Sequence, residues 1–450
     1  MTTIARVTTS HLAPSPPPWW QAAGALRRFL ADLIEGELSR LRHATVALPA
    51  AHGGPTDLVA HLGADSLELM ALSAALAEAL QLNRAGLLDG LLADTRFDSW
   101  VAQTAVALDA DAGAAADPAA ARRLCFRTSG SAGSPKPCVH ELANLWQEVA
   151  ALAPLLPGRR RIVSAVPAHH IYGFLFTVLL PQHAGASAAP LSPPLPLLDV
   201  RGQLPAAVWQ AAQAGDLVVG FPEFWQTALI GSGSGAGSAR IAADVIGVSS
   251  TAPCTDSLAA ALVSAGLARL LQIYGSSETG GVGWRDGAGL PYRLLPFWQR
   301  QAPADDHDHD PDHALLRTLA DGSTRALRLQ DRLRWTSDAD EDGFLPAGRL
   351  DDAVQVGGVN VFPAALAGLL RQHPGVRDAA VRLMRPDEGE RLKAFIVPVD
   401  DASEQSLTAQ LVEWMRARVD AGARPASYTF GNALPRQRNG KLADWIIDAD

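Results

Sequence analysis

The residues best equipped for chemistry in this chain fall in four loops. The first, Thr128-Ser129-Gly130-Ser131-Ala132-Gly133-Ser134-Pro135-Lys136, gathers hydroxyls, glycine-freed backbone amides and one ammonium. Such a loop can wrap a polyphosphate, although a plain Gly/Ser turn has the same composition. It is not the usual nucleotide P-loop, because its lysine follows proline and no Ser or Thr comes next. Lysine is scarce here, three residues against 35 arginines, and two of the three, Lys136 and Lys441, stand in these loops. A compact ammonium meets a single phosphate or carboxylate oxygen as a point charge, where arginine presents a wide planar fork. The second loop is Tyr274-Gly275-Ser276-Ser277-Glu278-Thr279-Gly280-Gly281. Its tyrosine offers a face to a flat base, Glu278 a hard oxygen to Mg²⁺ and Thr279 a hydroxyl to phosphate. In the third, Asp338 can hold two ribose hydroxyls and Arg349 can share them, with Asp351 and the pair Gly357-Gly358 close behind. The fourth is Leu434-Pro435-Arg436-Gln437-Arg438-Asn439-Gly440-Lys441.

Elements must hold these loops, and their periodicity supplies candidates. Residues 1–20, with Pro14, Pro16, Pro17 and Pro18, read as an extended lead-in. Apolar residues at helical spacing predict a helix over 21–42, with Leu26, Leu30, Leu33, Ile34 and Leu41 on one face. Another helix opens at Asp65-Ser66-Leu67 and carries Leu69, Leu72, Leu76 and Leu80 in register; residues 108–121 read as a linker. Beyond it, apolar runs over 161–166, 216–220 and 244–249 alternate with amphipathic stretches over 144–156 and 255–265. That alternation predicts a mostly parallel sheet with helical crossovers. After Arg349 the pattern becomes that of a small α+β module: strands over 353–356, 379–383 and 394–399, helices over 363–373 and 407–418.

Composition narrows the classes. A chain of 450 residues, 48% hydrophobic, has room for two or three domains with real cores. A net charge of −9 disfavours nucleic acid and a basic membrane patch. Three cysteines without ligand or disulfide spacing, no apolar signal core and no charge-free membrane span predict a cytoplasmic protein. The run Asp305–His313 suits a solvated acidic loop better than a metal site.

Taken in order, the loops resemble the adenylate-forming superfamily of acyl-CoA synthetases, aryl acid ligases and peptide-synthetase adenylation domains. The resemblance covers about 124–446. It implies an α/β adenylate-forming fold, with a large domain over 109–349, a small mobile C-terminal domain over 350–450, and ATP and Mg²⁺ as cofactors. It also implies roles. Thr128, Ser129, Gly130, Ser131, Gly133 and Lys136 would cover the ATP phosphates; Tyr274 would stack on adenine beside Gly275 and Ser276; Thr279 would serve phosphate, Glu278 the metal, and Asp338 and Arg349 the ribose. Lys441 would bridge carboxylate and α-phosphate, Asp351 would be the hinge, and Gly357 and Gly358 would line the thiol tunnel. His169-His170-Ile171-Tyr172-Gly173 is similar to the family's Pro-x-x-His-x-x-Gly segment, in which His170 gates the acid pocket; paired histidines also fit a plain hydrogen-bonding role at a strand end. Phe221, Ser250, Thr251, Gly275, Gly280 and Gly281 would complete that pocket.

Residues 1–108 look different: they resemble an acyl carrier protein, whose Asp-Ser-Leu signature would make Ser66 a pantetheine attachment point. The other reading of Asp65-Ser66 is a helix N-cap. Size and this N-terminal block are similar to short ligases of xanthomonadin and aryl polyene pigment pathways, which load hydroxybenzoate onto an acyl carrier protein. The expected substrate is therefore an aromatic carboxylic acid, 3- or 4-hydroxybenzoate first, with a carrier pantetheine or CoA as acceptor. A CoA ligase for an aryl or medium-chain acid and a non-catalytic carrier-binding scaffold are the alternatives.

Overall fold

The structure is a computed structural model. It describes residues 16–42, 44–49, 56–82, 87–112, 122–127, 136–188, 193–231, 241–300, 314–336, 343–350, 353–357, 359–385, 387–399, 404–436 and 442–447. Thr128–Pro135, Asp338, Asp351, Gly358, Lys441 and the acidic run 305–313 lie outside the described residues. Contacts divide the chain into two units, the larger holding most of the chain up to Gly348 and the smaller formed chiefly from Arg349 onward, with short earlier pieces assigned to it.

The larger unit opens with helices α1 (Ala25–Arg42), α2 (Leu58–Leu62), α3 (Ser66–Ala79), α4 (Leu87–Ala93) and α5 (Phe97–Ala112). An antiparallel pair, β1 (Arg123–Arg127) and β2 (Pro137–Glu141), flanks the first loop and leads into α6 (Leu142–Leu152). Next come β3 (Arg161–Ser164), α7 (Ile171–Phe174) and its continuation to α8 (Leu180–Ala188), then β4 (Leu197–Asp199), α9 (Val208–Ala211), β5 (Asp216–Gly220), α10 (Pro222–Gly231), β6 (Ile246–Ser249), α11 (Asp256–Ser264) and β7 (Arg269–Ser276). The expected parallel sheet is there: β4, β3, β5, β6 and β7 lie side by side and parallel. Their connections are helical, as a crossover requires. An antiparallel extension was not legible: β8 (Gly280–Asp286) and β9 (Tyr292–Leu294) continue the sheet from β7. β10 (Trp298–Arg300), β11 (Ala314–Thr318) and β12 (Thr324–Arg328) form a separate three-stranded sheet, and β13 (Asp331–Trp335) and β14 (Gly343–Arg349) close the nine-stranded one.

Two expectations for the N-terminal block need correction. The lead-in is not extended at its end: Trp19–Gln21 is a 3₁₀ turn, and Trp19 is fully buried against Phe29 and Phe174 at centroid distances of 5.4 and 5.0 Å. Nor is the block a segment apart. Its helices share one hydrophobic core with the sheet, in which Phe174 also meets Phe126 of β1 at 5.5 Å. The burial of several large aromatic rings, each worth about 2–3 kcal/mol on the usual area scale, makes α1 structural to the larger unit. The supposed linker begins as helix too, since α5 runs to Ala112 with Leu108 buried.

Asp65 caps α3 with a full capping box: its carboxylate accepts from Glu68 N at 2.8 Å, and Glu68 reaches back to Asp65 N at 3.1 Å. Leu69, Leu72, Leu76 and Leu80 are buried as the register requires, and Ser66 is exposed at the helix start.

The smaller unit holds β15 (Val354–Val356) and β16 (Val359–Val361), which pair antiparallel, and the sheet β17 (Val376–Leu383), β18 (Leu392–Pro398), β19 (Ser427–Phe430). Helices α12 (Pro363–Arg371) and α13 (Glu404–Arg416) cover it through Leu366, Leu370, Leu407, Leu411 and Met415.

Candidate active site

The carboxyl ends of four neighbouring parallel strands converge on one edge of the sheet, where ligands bind in open α/β folds. β3 leads to His169, His170, Tyr172 and Gly173, β5 to Phe221, β6 to Ser250 and Thr251, and β7 into the Tyr274–Gly281 loop. Residues far apart in sequence are thus brought together by topology. Side chains stitch the ends. Tyr172 donates its hydroxyl to Gly220 O at 3.0 Å, Ser250 donates to Ile273 O at 2.9 Å, and His140 Nε2 meets Ser277 O at 2.7 Å. Thr251 holds φ at +76°, a costly conformation for a β-branched residue and of the kind found at functional sites.

Loop 274–281 is a tight hairpin between β7 and β8. Gly275 is required there: a Cβ would lie 2.2 Å from Gly280 O. Gly280 turns the chain with φ +69°, and the Ser276 and Thr279 hydroxyls bond across the turn at 3.0 Å. Glu278 projects from it, exposed. One carboxylate beside substrate phosphates is how Mg²⁺ is commonly held, so this turn fits the metal. Tyr274 is half-buried; its ring meets Tyr292 and Phe344 at 5.7 and 5.3 Å, and its hydroxyl donates to Asp331 at 2.7 Å. That fixes the ring as a flat wall.

His170 is accessible to solvent yet has protein atoms close around it at the strand end. Burial pushes its imidazolium pKa down to about 4, so the ring is neutral near pH 7. A neutral imidazole can exchange a hydrogen bond with a phenol or lie against an aromatic ring. Its neighbour His169 lies 4.1 Å away between centroids and is also held neutral by burial.

Of the remaining expected residues, Lys136 is exposed just before β2, Arg349 is half-buried at the end of β14, and Gly357 takes φ +58° in the β15–β16 turn. The larger unit therefore brings to one sheet edge the residues expected from the sequence to face the acid and the base.

Sequence reasoning missed what stands behind them. Glu148, on the apolar face of α6 with Leu145, Val149 and Leu152, is fully buried and accepts from Gly281 N at 2.8 Å. Desolvation pushes its carboxyl up to about 7, against the pull of Arg317 and the Gly281 amide. Arg317, buried on β11, donates to Thr279 O at 2.6 Å and to Asn144 O at 3.2 Å. Together they hold the Thr279-Gly280-Gly281 backbone from behind. A charged residue at a core-facing helical position was the available signal.

The third lysine was also passed over. Lys393 is fully buried on β18, with its Nζ 2.7 Å from Glu388, 3.0 Å from Asp444 and 2.6 Å from Trp445 O. Asp444 and Trp445 follow Lys441 by three and four residues. On the other side, Arg436 and Leu442 bridge, and Ala443 N donates to Pro435 O at 2.8 Å.

Comparison with known proteins agrees with this architecture. The family described as AMP-binding enzyme matches residues 46–303, and its C-terminal domain matches 368–441. Asp65-Ser66-Leu67 falls inside the first match. The chain is 39% identical over 424 residues to a 4-coumarate–CoA ligase of Rhodobacter capsulatus, covering 93% of this chain and 100% of the relative. It is 38% identical over 406 residues to one of Cereibacter sphaeroides, covering 88% of each. An amide bond synthetase from Marinactinospora thermotolerans shares the fold, with TM-score 0.55 and 18% identity over 93% of this chain and 92% of that one. Among the described residues no helix is long and apolar enough to cross a membrane. The chain belongs to the AMP-binding, adenylate-forming enzymes, ligases that activate a carboxylic acid with ATP and Mg²⁺.

Proposed function

We propose that this enzyme joins a planar hydroxyaryl acid to the pantetheine thiol of CoA through an acyl-adenylate. The observation that carries the reading is near-full-length similarity to ligases named for 4-coumarate and CoA. The placement of His170, Tyr172, Phe221, Gly281 and the Ser249–Pro253 segment at neighbouring strand ends supports it, as the lining of a short, flat slot. A carboxylate is a poor electrophile, so its oxygen attacks the α-phosphorus of ATP and pyrophosphate leaves. The thiol then attacks the acyl carbon, and AMP leaves with the carboxylate oxygen. The approach of two anions is what the site must offset; Lys441 does so in the first step, with Glu278 as the protein oxygen for Mg²⁺, whose charge would stabilise the phosphates. Tyr274 would face adenine, Thr128–Lys136 the phosphates, and Asp338 and Arg349 the ribose. Asp351 would be the pivot about which the small domain turns, and Gly357 with Gly358 would admit the thiol.

A second reading keeps the resemblance to hydroxybenzoate–carrier ligases, with a shorter acid and a carrier-bound thiol. AMP release across a panel of acids, run separately with CoA and with a holo acyl carrier protein, tests both. The expected result is a kcat/KM at least tenfold higher for 4-coumarate or a hydroxybenzoate than for octanoate, with CoA preferred. A preference for octanoate overturns the aryl slot, and thioester formed only on the carrier overturns the CoA acceptor.

A further inference from the structure

Helix α1 precedes the matched AMP-binding region, yet it grips the acid-pocket turn at three points. Before the turn, the buried carboxylate of Asp32 accepts from Ala168 N, and Arg201 from the end of β4 pairs with it at 2.6 Å. After the turn, Arg28 donates to Thr177 O. Between these, Gly36 faces His169: a Cβ on Gly36 would lie 2.8 Å from Nε2 and 3.0 Å from Cε1 of that ring. A glycine well inside an 18-residue helix is disfavoured relative to alanine, so its place needs a packing reason, and the imidazole supplies one. His169 Nδ1 is buried with no hydrogen-bond partner among the described residues. Its ring is therefore held by contact, with α1 on one side and the His170 ring 4.1 Å away.

We propose that α1 is a positioning and specificity element of the acid pocket, in which Gly36 and Asp32 set the place of His169 and, through it, of His170. The inference rests on the reading that His170 lines the acid slot. Any side chain at position 36 displaces His169, and the shift passes to His170. Loss of the Asp32 charge weakens the hold on Ala168 N and removes one of the two carboxylates that pair with Arg201, which keeps Asp199.

The test compares Gly36→Ala, Asp32→Asn and His170→Ala in the full chain, with steady-state constants for acid and ATP and a melting curve for each. Gly36→Ala should fold at least as well as the parent, because alanine favours the helix. It should raise the KM for the aryl acid about tenfold or more, leave the KM for ATP within twofold, and change the ranking of acids. In a double-mutant cycle with His169→Ala the two changes should be non-additive in acid KM, since without the imidazole the added Cβ has nothing to displace. Asp32→Asn should shift acid KM in the same sense, and it carries the test if Gly36→Ala melts early. If His170→Ala raises acid KM while Gly36→Ala and Asp32→Asn, both folded, do not, the inference is wrong and the slot stands. If His170→Ala leaves acid KM unchanged, the slot reading fails and the inference falls with it. A uniform drop in kcat with both KM values unchanged would show that α1 acts only on folding.

Discussion

Replacing Lys441 by alanine should lower adenylate formation by at least a hundredfold, the scale of losing one charged contact to a transition state. Carboxylate and α-phosphate repel as they approach, and in the proposed mechanism the ammonium is the compact charge that offsets this between their oxygens. The second half-reaction has no such repulsion to offset. Thioester formation from a presynthesised acyl-adenylate and CoA should therefore proceed within about threefold of the parent rate. Pyrophosphate exchange and single-turnover thiol transfer measure the two halves separately. Equal losses in both would show that Lys441 does not act on adenylation alone, and the two-step division of labour would fail.

Lys393→Met should have the next largest effect, first on stability. The ammonium is wholly buried among Glu388, Asp444 and the Trp445 carbonyl, so its removal takes away the buried countercharge the two carboxylates share and leaves them only the more exposed Arg385 and Arg382. Breaking a buried pair in this way costs about 3–5 kcal/mol, and the partial exposure of Asp444 places the expected loss near the low end, about 3 kcal/mol. Denaturant unfolding measures it. The variant should also lose adenylate formation well beyond what its unfolded fraction explains, because the segment that follows Lys441 has lost its anchor. Lys393→Arg should not restore either quantity, since a planar guanidinium does not fit a space closed around an ammonium. Unchanged stability in Lys393→Met would show that the ion pairs contribute nothing net.

The loops were legible because phosphate and metal chemistry allows few residue types, and Tyr274–Gly281 shows them all within eight residues. The parallel strands were legible for a related reason, since a strand buried on both faces must be a short apolar run, as over Asp216–Gly220. The antiparallel extension was not. β8 begins with glycines that carry no pattern, β12 is exposed along most of its length, and β13 sets Arg332 and Arg334 on either side of its one buried residue, Leu333. Asp65-Ser66 allowed two readings because a capping box and a carrier signature can start on the same residues and both open a helix; the structure shows the capping box. Only the burial of Trp19, Phe29 and Leu108 in the common core places that block within the large unit. Asp32, Glu148 and Lys393 share one cause of omission. A single charge on an apolar face reads as a tolerated exception until its partners, on distant strands, are seen.

The account rests on an acyl-adenylate, and isotope transfer tests that directly. An aryl acid carrying ¹⁸O in its carboxylate, turned over with ATP, Mg²⁺ and CoA, should deliver one ¹⁸O per turnover to the phosphate of AMP, because the attacking oxygen leaves with it. AMP without label, or label found in inorganic phosphate released beside ADP, would contradict the account.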